Sequence, residues 1–392
     1  MKTNDLINYK NKTIYSLGLM SGTSLDGVDI AYVKHENENG NTNHELIAFK
    51  TYPYSKELKQ KILKNTEIET SRIDEICSLN KELGIVYKNV VEMFLNEFKI
   101  KLNKISFISL HGQTIYHIPF GNDKLSRSTL QLGDMSELAY HFNKIIVYDF
   151  RSLDVSAGGG GAPLVPIVNF ELFKDKAPIM LLNIGGISNL TYIKDDNVAN
   201  VLAFDSGPGN MVIDRLMLKL YNMPYDEDGK VAQKGKIARA LFTTLIDDEY
   251  YNKPLPKSTG REKYNNNYVD KIITMMNQHN IPKEDVIYTI TYLTAYTINQ
   301  GIEMFIKNKD VKLLVSGGGA NNPTLMNMLK SFNLNVITTD DENNISKDAL
   351  EAYSFSILGY LRLTYQPANI PSVTGAKDAI MLGSIILPPR KD

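Results

Sequence analysis

The sequence lacks features on which several common classes of protein depend. Its 392 residues include one cysteine, Cys77, and no tryptophan. A disulfide framework within the chain is therefore excluded, and a cysteine-based zinc site has too few ligands. Lys and Arg together number 43 and Asp and Glu 44, which gives a formal net charge of −1. This balance argues against a dedicated nucleic-acid or membrane-surface binder, because anionic partners would not be attracted overall.

Long hydrophobic runs are also missing. No apolar stretch approaches the ~18 residues that a membrane-spanning helix needs. The longest runs, such as Ile105–Leu110 and Ile179–Leu182, have the length of buried strands. Residues 1–20 are polar and show no apolar segment before a small-residue cleavage site, so we expect no secretory signal and a cytoplasmic location. Cys77 falls in the apolar pattern of a helix predicted over Arg72–Phe98, where we expect a buried, unreactive side chain.

Strand and helix patterns alternate along the chain, which is typical of an α/β protein. The length suggests two domains. Four consecutive glycines in Ser156–Pro166 fit neither a helix nor a strand interior and mark a domain junction or a phosphate-side loop. Each half begins with a strand, a turn of small residues and a second strand, at Leu19–Asp29 and Ile184–Leu190. We therefore predict two related lobes that face a cleft: residues 1–155 with 373–392, and residues 156–372.

The first of these turns, MSGTSLDGVD at Met20–Asp29, concentrates backbone amides, hydroxyls and two carboxylates. Such a turn can direct N–H groups at phosphate oxygens. Asp26 or Asp29 could hold Mg²⁺ directly or through water, since Mg²⁺ prefers oxygen ligands. The alternative is an ordinary hairpin turn whose polar side chains bond their own backbone. The chain contains no G-x-x-x-x-G-K-[ST] motif, which argues against a P-loop nucleotide site.

Two further glycine turns follow strands. Asn183–Asn189 (NIGGISN) allows a ligand to approach the backbone closely, or forms a simple glycine hairpin. Ser316–Pro323 (SGGGANNP) lies between a strand and a helix, where an open α/β sheet places a ligand crevice. A nucleoside could rest on these three glycines, although a plain strand-to-helix turn has the same pattern. The spacing is not that of a dinucleotide-binding motif.

A carboxylate at the end of a predicted strand is the candidate base. Asp205 closes the strand Val201–Asp205 and precedes a Gly-Pro-Gly loop and the helix Asn210–Tyr221. Partial burial there would raise the basicity of the carboxylate toward that of a general base for water or a hydroxyl. The alternative role is that of an N-cap for the following helix.

Polar residues at other strand ends suit a sugar. His111 and Gln113 follow the strand Ile105–Leu110 and could bond hydroxyls, and two nearby histidines without a third ligand do not make a metal site. Arg151 could grip a carboxylate with two N–H groups, or form a surface or inter-strand ion pair. Glu351 stands alone on a predicted helix, where a carboxylate is usually solvated.

The order of these motifs resembles that of the anhydro-N-acetylmuramic acid kinase family, within the actin-like sugar-kinase superfamily. The matching segments are MSGTSLDGVD, HGQT, QLGD, DFR, GGAPLVP, NIGGISN, FDSGPGN, SGGGANNP, EA and SVTGAKDA. They run from about Ile14 to a last predicted helix, Lys377–Leu387. The resemblance implies an α/β fold of two RNase H-like lobes, of the actin, hexokinase and Hsp70 type.

The resemblance also implies a reaction and its residues. The enzyme would use ATP and Mg²⁺ to open 1,6-anhydro-N-acetylmuramic acid with water and to phosphorylate O6 in cell-wall recycling. Asp205 matches the catalytic carboxylate, and Asp26 the metal-side residue. His111, Gln113, Arg151 and Glu351 resemble sugar-binding residues. The residues that match ATP-binding positions are Gly22, Thr23, Ser24, Leu25, Asp26, Gly27, Val28, Asp29, Gly185, Gly186, Ser188, Asn189, Gly317, Gly318, Gly319 and Ala320.

Three positions depart from the family pattern. Gly160 stands where the family has Gln, Val168-Asn169 where a His is expected, and Asn321 replaces a larger residue. They bear on substrate contacts more than on the class of reaction. The alternatives are a conventional sugar kinase of the same superfamily and a non-catalytic nucleotide-binding regulator. The expected partners are ATP and a small sugar, without nucleic acid or membrane, in a homodimer that the resemblance alone suggests.

Overall fold

The computed structural model of the protein describes residues 12–22, 25–38, 41–338 and 349–390. The strands are β1 (Thr13–Ser21), β2 (Gly27–Glu38), β3 (Asn41–Pro53), β4 (Ile105–Ile118), β5 (Ser128–Leu132), β6 (Ile145–Tyr148), β7 (Ile179–Ile184), β8 (Ile187–Ile193), β9 (Leu202–Pro208), β10 (Lys312–Ser316), β11 (Asn335–Thr338) and β12 (Ser384–Ile386). The helices are α1 (Lys56–Thr66), α2 (Ile73–Glu97), α3 (Ser136–Phe142), α4 (Ser152–Ser156), α5 (Val165–Phe173), α6 (Asn210–Tyr221), α7 (Arg239–Ile246), α8 (Asn266–Gln278), α9 (Lys283–Gly301), α10 (Pro323–Ser331), α11 (Leu350–Leu363) and α12 (Pro371–Thr374). Short helical turns lie at Leu102–Lys104, Lys174–Lys176, Val198–Asn200, Glu227–Gly229, Ala232–Lys234, Glu249–Asn252, Ile302–Ile306 and Gly318–Asn321. Among the helices described, none is both long enough and apolar enough to cross a membrane.

The first sheet belongs to a unit formed by Met1–Val168 and Asp348–Asp392. Its strand order is β3-β2-β1-β4-β6-β12, and β5 pairs with the outer part of β4. Strands β1, β2 and β3 form an antiparallel meander, whereas β4 is parallel to β1 and β6 is parallel to β4. Helix α2 contributes buried apolar residues at helical spacing, including Leu83, Tyr87 and Phe94, to the core that includes this sheet.

Alternate residues of β1 face two different layers. Leu17 and Leu19 belong to the apolar cluster that includes α2, whereas Ser16 bonds Ser356 of α11 at 2.6 Å between their hydroxyl oxygens. A Cβ at Gly18 would lie 2.0 Å from the carbonyl oxygen of Ala352 in α11, so this approach requires glycine. Helix α11 is thereby held against the first sheet.

The second sheet belongs to the unit Asn169–Lys347. Its strand order is β9-β8-β7-β10-β11, with β7, β8 and β9 antiparallel and with β10 and β11 running parallel to β7. An antiparallel meander followed by two parallel strands is therefore present in each unit. That repeated order is the RNase H-like topology, which confirms the predicted α/β fold class.

The division between the units differs from the predicted one. The structure places it inside α5, after Val168, whereas the composition break placed it at residue 155. Residues 349–372, predicted in the second lobe, belong to the first unit because α11 packs on β1 through Gly18 and Ser16. The glycine-rich stretch also stays in the first unit, where Gly160 N–H donates to the Thr374 carbonyl at 2.7 Å.

Several local predictions are wrong. Strand β4 continues through His111 to Ile118 because β5 pairs with its outer half, so His111 and Gln113 are not at a strand end. Strand β9 likewise continues past Asp205 to Pro208. The helix predicted over Lys377–Leu387 is absent from that described segment, which contains β12 paired with β6. Cys77 is exposed, because the residues of α2 that are buried in the core begin at Leu79.

Candidate functional site

The first predicted phosphate turn joins β1 to β2 in the first unit. Ser21, the last residue of β1, is fixed by two tyrosines: Tyr54 donates to its hydroxyl at 3.0 Å, and the Ser21 hydroxyl donates to Tyr87 at 3.1 Å. Beyond it, the Leu25 N–H donates to the Gly22 carbonyl at 3.3 Å, and Leu25 has a φ of 59°. The described part of the turn is therefore anchored at its base and tightly bent.

Of the other residues matched to ATP in this turn, Thr23 and Ser24 lie outside the described residues. The Asp26 side chain is exposed, whereas Asp29 is half-buried and accepts a hydrogen bond from the Thr51 hydroxyl at 2.5 Å. No cluster of three or more His, Cys, Asp or Glu suited to a metal is found in the described ranges. An exposed carboxylate such as Asp26 still fits Mg²⁺, which usually keeps several waters and needs few protein ligands.

The predicted sugar-side residues His111 and Arg151 contact each other in the first unit. The Arg151 Nε–H donates to His111 Nε2 at 2.7 Å, and Arg151 Nη1 donates to the Gly161 carbonyl at 2.7 Å. Because an arginine can only donate, His111 Nε2 is the acceptor, and Nδ1 carries the proton that bonds the Gly112 carbonyl at 2.8 Å. Among the described residues, Arg151 bonds His111 and Gly161 and forms no ion pair, so the ion-pair alternative is wrong, while its grip on a carboxylate stays a prediction.

Glu351 lies close enough to both Arg151 and Asp29 for their charges to interact. Burial lowers the pKa of Arg151 to about 10, and the charges of Glu351 and Asp154 oppose that shift. Glu351 is exposed as a residue, but the protein around its carboxyl group shields that group from water. This burial and the negative charge of Asp29 raise the pKa of Glu351, and the positive charge of Arg151 opposes the rise. Burial and the Arg151 charge hold the pKa of His111 well below its ordinary value, so the ring is neutral.

Gln113 links this group to the first turn. Its side chain is 1% exposed, and its amide nitrogen donates to the Gly22 carbonyl at 3.3 Å. Its side-chain oxygen is buried without a hydrogen-bond partner among the described residues. A buried acceptor without a donor is unusual in a folded protein.

The two glycine turns of the second unit meet each other. The Asn210 side chain donates to the Ile184 carbonyl at 3.2 Å, and a Cβ at Gly319 would lie 2.4 Å from the Ile184 side chain. Gly317 has a φ of 82°, which favours glycine. A Cβ at Gly185 would meet no atom closer than the Asn183 side-chain nitrogen at 3.6 Å, so the space beside this glycine is not tightly filled.

Strand register places four polar residues in one row across the second sheet. Ser316 of β10 is opposite Asn183 of β7, Asn183 is opposite Asn189 of β8, and Asn189 is opposite Asp205 of β9. Residues directly opposite on neighbouring strands share one face, and all four are half-buried. Ser188 points away from this row, because it is fully buried and its hydroxyl bonds Ser206 at 2.7 Å.

Asp205 is held by a loop that follows α7. Its side-chain oxygen Oδ2 accepts the Thr259 N–H at 2.9 Å, its carbonyl accepts the Tyr250 hydroxyl at 2.8 Å, and its N–H donates to the Lys257 carbonyl at 3.3 Å. The N-cap alternative for Asp205 is wrong, because Gly209 occupies the N-cap position of α6. Three contacts thus fix the residue while leaving Oδ1 without a protein bond in the described structure.

Burial raises the pKa of Asp205 to about 6, with the Glu262 charge adding to the rise and the Thr259 N–H and the Lys257 charge opposing it. Lys257 is 7% exposed, and its ammonium lies 5.1 Å from the ring centre of Tyr250 and bonds the Tyr251 carbonyl at 3.1 Å. Burial lowers the pKa of Lys257 to about 8, and Asp205 opposes the change. A carboxylate with such a pKa can accept a proton near neutral pH.

Sequence reasoning missed the residues that hold Asp205. Lys257, Thr259 and Glu262 lie between α7 and α8, in a segment to which no motif was assigned. The signal that could have pointed to them is the polar Lys-Ser-Thr-Gly stretch after Pro256, which fits neither helical nor strand periodicity. Asn183 was part of a noted motif but was not assigned a role.

The three departures from the family pattern lie in different surroundings. A Cβ at Gly160 would meet no atom closer than 3.4 Å, so a methyl group would fit there. Asn169 bonds the Thr191 hydroxyl at 3.4 Å on the second unit. Asn321 is exposed at the third turn.

Among solved structures, the chain is similar to the activator of the 2-hydroxyisocaproyl-CoA dehydratase from Clostridium difficile with bound ADPNP. The identity is 13% and the TM-score 0.41, covering 88% of this chain and 94% of that one. The Acidaminococcus fermentans (R)-2-hydroxyglutaryl-CoA dehydratase component A gives 12% identity and a TM-score of 0.42, with 90% and 99% coverage. Both likenesses are too distant to inform function.

Sequence relatives are much closer. A protein of Francisella tularensis subsp. novicida named anhydro-N-acetylmuramic acid kinase is 42% identical over 376 residues, covering 95% of this chain and 98% of the relative. One of Clostridioides difficile with the same name is 42% identical over 379 residues, with the same coverage. The model of the anhydro-N-acetylmuramic acid kinase family matches residues 14–388. The expectation drawn from the motifs is confirmed: this chain belongs to the anhydro-N-acetylmuramic acid kinase family.

Proposed function

We propose that the chain converts 1,6-anhydro-N-acetylmuramic acid, ATP and water into N-acetylmuramic acid 6-phosphate and ADP. Family membership makes it an ATP-dependent amino-sugar kinase of peptidoglycan recycling. The substrate is an internal acetal in which O6 is bonded to C1, so phosphorylation of O6 requires that the C1–O6 bond break. A general base that activates water is therefore needed beside the usual phosphate-binding elements.

The observation that carries the proposal is the state of Asp205. Its carboxylate is half-buried, fixed through Oδ2 by the Thr259 N–H, and has a pKa of about 6. At neutral pH it is mostly ionised, yet basic enough to accept a proton from water. Asn189 and Asn183 lie in the same row of the sheet and supply amides that can hold the water or a substrate oxygen.

In the reaction, Asp205 takes one proton from water while the water oxygen bonds C1 of the sugar. The C1–O6 bond breaks, and its electron pair stays on O6. O6 then attacks the γ-phosphorus of ATP in line, and the bond from that phosphorus to the bridging oxygen breaks to release ADP. Asp205 afterwards returns its proton to solvent. Fixing the carboxylate before the step keeps the reacting atoms aligned.

Glycine turns are assigned to the nucleotide. A Cβ at Gly185 would make only ordinary contacts, and Gly317 adopts a conformation that favours glycine, so we assign the backbone of both turns to the phosphates. Asp26 is assigned to Mg²⁺, which when bound would neutralise charge on the transferred phosphoryl group. The first turn is assigned to the nucleotide as well, on the resemblance alone.

The sugar is assigned to the polar group of the first unit. Gln113 offers a buried oxygen without a described donor, and Arg151 carries charge beside Glu351. A hydroxyl or the acetamide N–H of the sugar can satisfy Gln113, while Arg151 can attract the lactyl carboxylate. A cytoplasmic location, where ATP is available, and a homodimer belong to this proposal on the resemblance alone.

The Asp205→Asn variant tests the assignment of the base. It keeps an oxygen for the Thr259 N–H but cannot accept a proton, so turnover should fall by about 10²–10⁴, the usual contribution of a general base. ATP binding, measured by calorimetry, should stay within about twofold. A matched control is Asp270→Asn, which removes an exposed carboxylate paired with Lys219 in the same unit. Near-normal turnover in Asp205→Asn would remove Asp205 from the mechanism.

A further inference from the structure

We propose that Asp154 is a positioning residue for the sugar-side pair His111 and Arg151, which it holds through the peptide groups of Gly161. The inference rests on the proposed function only where it predicts an effect on sugar binding. Asp154 was given no role by the sequence motifs, and the reaction described above does not use it.

Asp154 is a buried carboxylate surrounded by donors. The side chain is 0% exposed, and its Oδ2 accepts the Gly161 N–H at 2.7 Å. Its Oδ1 accepts both the Asn369 side-chain amide and the Thr374 hydroxyl, each at 2.8 Å. A fully buried charge is costly unless it is bonded in this way. The residue therefore joins the glycine-rich stretch to the segment around α12.

The Gly161 residue is gripped from both sides. Its N–H is held by Asp154, and its carbonyl accepts Arg151 Nη1 at 2.7 Å. Gly161 has a φ of 66°, a conformation that needs such support in a loop of four consecutive glycines. Without Asp154, the Gly161 N–H loses its hydrogen-bond acceptor. The orientation of the Gly161 carbonyl, which accepts from Arg151, is then no longer fixed.

Arg151 transmits this position to His111. With Nη1 fixed on Gly161, the Arg151 Nε–H points at His111 Nε2 at 2.7 Å. That donor makes Nε2 the acceptor and leaves the proton on Nδ1, where it bonds the Gly112 carbonyl. The chain from Asp154 through Gly161 and Arg151 therefore sets which ring nitrogen of His111 carries the proton.

The chemistry of the contacts explains why an aspartate is required. All three groups that bond the Asp154 carboxylate act as donors: the Gly161 backbone N–H, the Asn369 amide and the Thr374 hydroxyl. An amide at residue 154 would therefore turn its NH₂ toward at least one of them. A donor facing a donor in a buried site leaves both without partners. Asp154 also lies close enough to Arg151 for its charge to favour the charged guanidinium.

The first test uses Asp154→Asn and reads the ring nitrogens of His111 by long-range ¹H–¹⁵N correlation in the absence of sugar and ATP. The wild-type ring should show a protonated Nδ1 and an unprotonated Nε2. The variant should lose this pattern through a shift toward the other tautomer. This measurement needs no turnover, so it stands even if the proposed reaction is wrong. Unchanged His111 nitrogens in a folded variant would overturn the inference.

Kinetics supply the second reading. In Asp154→Asn the KM for the anhydro sugar should rise by about tenfold, as expected when a buried polar contact is lost, while the KM for ATP stays unchanged. A general loss of structure would change both, and equal changes would overturn the positioning role.

A milder pair keeps the test available if Asp154→Asn does not fold. Thr374→Val removes one donor to Asp154, whereas Thr374→Ser keeps the hydroxyl and should restore wild-type values. We expect Thr374→Val to shift the His111 nitrogens and the sugar KM in the same direction as Asp154→Asn, by less. Identical behaviour of the valine and serine variants would contradict the role assigned to Asp154.

Discussion

Lowering the pH from 7 to 5 should reduce turnover by about tenfold, because Asp205 then loses the charge that makes it a base. Burial places the pKa of Asp205 at about 6, so about nine-tenths of the carboxyl is ionised at pH 7 and about one-tenth at pH 5. An aspartate with the ordinary value would remain mostly ionised at pH 5 and would show almost no loss. The size of the fall in turnover on the acid side of the pH–rate profile, its acid limb, thus distinguishes a buried base from a solvated carboxylate.

A second perturbation assigns that limb to Asp205. The Lys257 charge lowers the pKa of Asp205, so Lys257→Met should move the limb to higher pH. Methionine keeps an apolar chain beside the Tyr250 ring and removes the charge together with its bond to the Tyr251 carbonyl. Lys257→Arg retains a cation and is the matched control, whose limb should stay near that of the wild type.

The assay is the initial rate of ADP release at saturating ATP and sugar, from pH 4.5 to 8. Circular dichroism at each pH confirms that the protein remains folded. The terminal phosphate of ATP also titrates near pH 6, so the wild-type limb alone does not identify the group. A nucleotide titration would not respond to Lys257→Met. A limb that stays in place in that variant, or a rate that is flat to pH 5, would refute the reasoning.

Two further predictions concern stability and the glycine turns. At pH 7 the Asp205→Asn variant should be more stable than the wild type by about 1–3 kcal/mol, because a pKa raised from 3.8 to about 6 means that the ionised native form is disfavoured. The stability that depends on the protonated Asp205 carboxyl is present at low pH and is lost as pH rises through about 6. Urea unfolding at pH 4 should therefore show no gain in the free energy of unfolding for Asp205→Asn over the wild type. A gain at pH 4 equal to that at pH 7 would contradict the predicted direction of the effect. Gly185→Ala should weaken ATP binding by about tenfold with little change in melting temperature, because the added methyl group would make only ordinary van der Waals contacts with the protein, at 3.6 Å from the Asn183 side-chain nitrogen. Gly319→Ala, the matched variant whose methyl group would meet Ile184, should destabilise the fold by about 1–3 kcal/mol, and a reversed pattern would remove Gly185 from the nucleotide site.

Much of the fold follows from local patterns. Helix α6 begins and ends at the predicted residues Asn210 and Tyr221, because a glycine N-cap and a left-handed Asn222 fix its two ends within the sequence itself. The strand, turn and helix around Ser316–Pro323 were predicted for a similar reason, since three glycines leave few alternatives. Such features depend on neighbours in the chain and are accessible without tertiary structure.

The errors arise where distant residues decide. His111 looked like a strand end because glycine follows it, but pairing with β5 continues the strand. Residues 377–387 carry apolar residues at helical spacing, yet β6 offers an edge that Ser384–Ile386 can extend. Cys77 lies in an apolar sequence pattern, but the core contacts the face of α2 that begins at Leu79.

The candidate site shows the same division. Asp205 and the glycine turns were predicted because motifs mark them. The Thr259 N–H that fixes Asp205 comes from 54 residues away in the chain and carries no side-chain signature. Asp154 was missed for a similar reason, since its partners Asn369 and Thr374 lie more than 200 residues later. Contacts between backbone amides and distant carboxylates have no periodic pattern in sequence.

The most direct test of the account is mass spectrometry of the products formed from 1,6-anhydro-N-acetylmuramic acid, Mg-ATP and ¹⁸O-labelled water. We predict a sugar 6-phosphate that carries one ¹⁸O, located at C1 by fragmentation, and none in the transferred phosphoryl group. That result joins ring opening by water to kinase action in one reaction. A phosphorylated sugar without ¹⁸O would indicate a conventional sugar kinase, and bound ATP without any product would indicate a regulator; either result would contradict coupled ring opening.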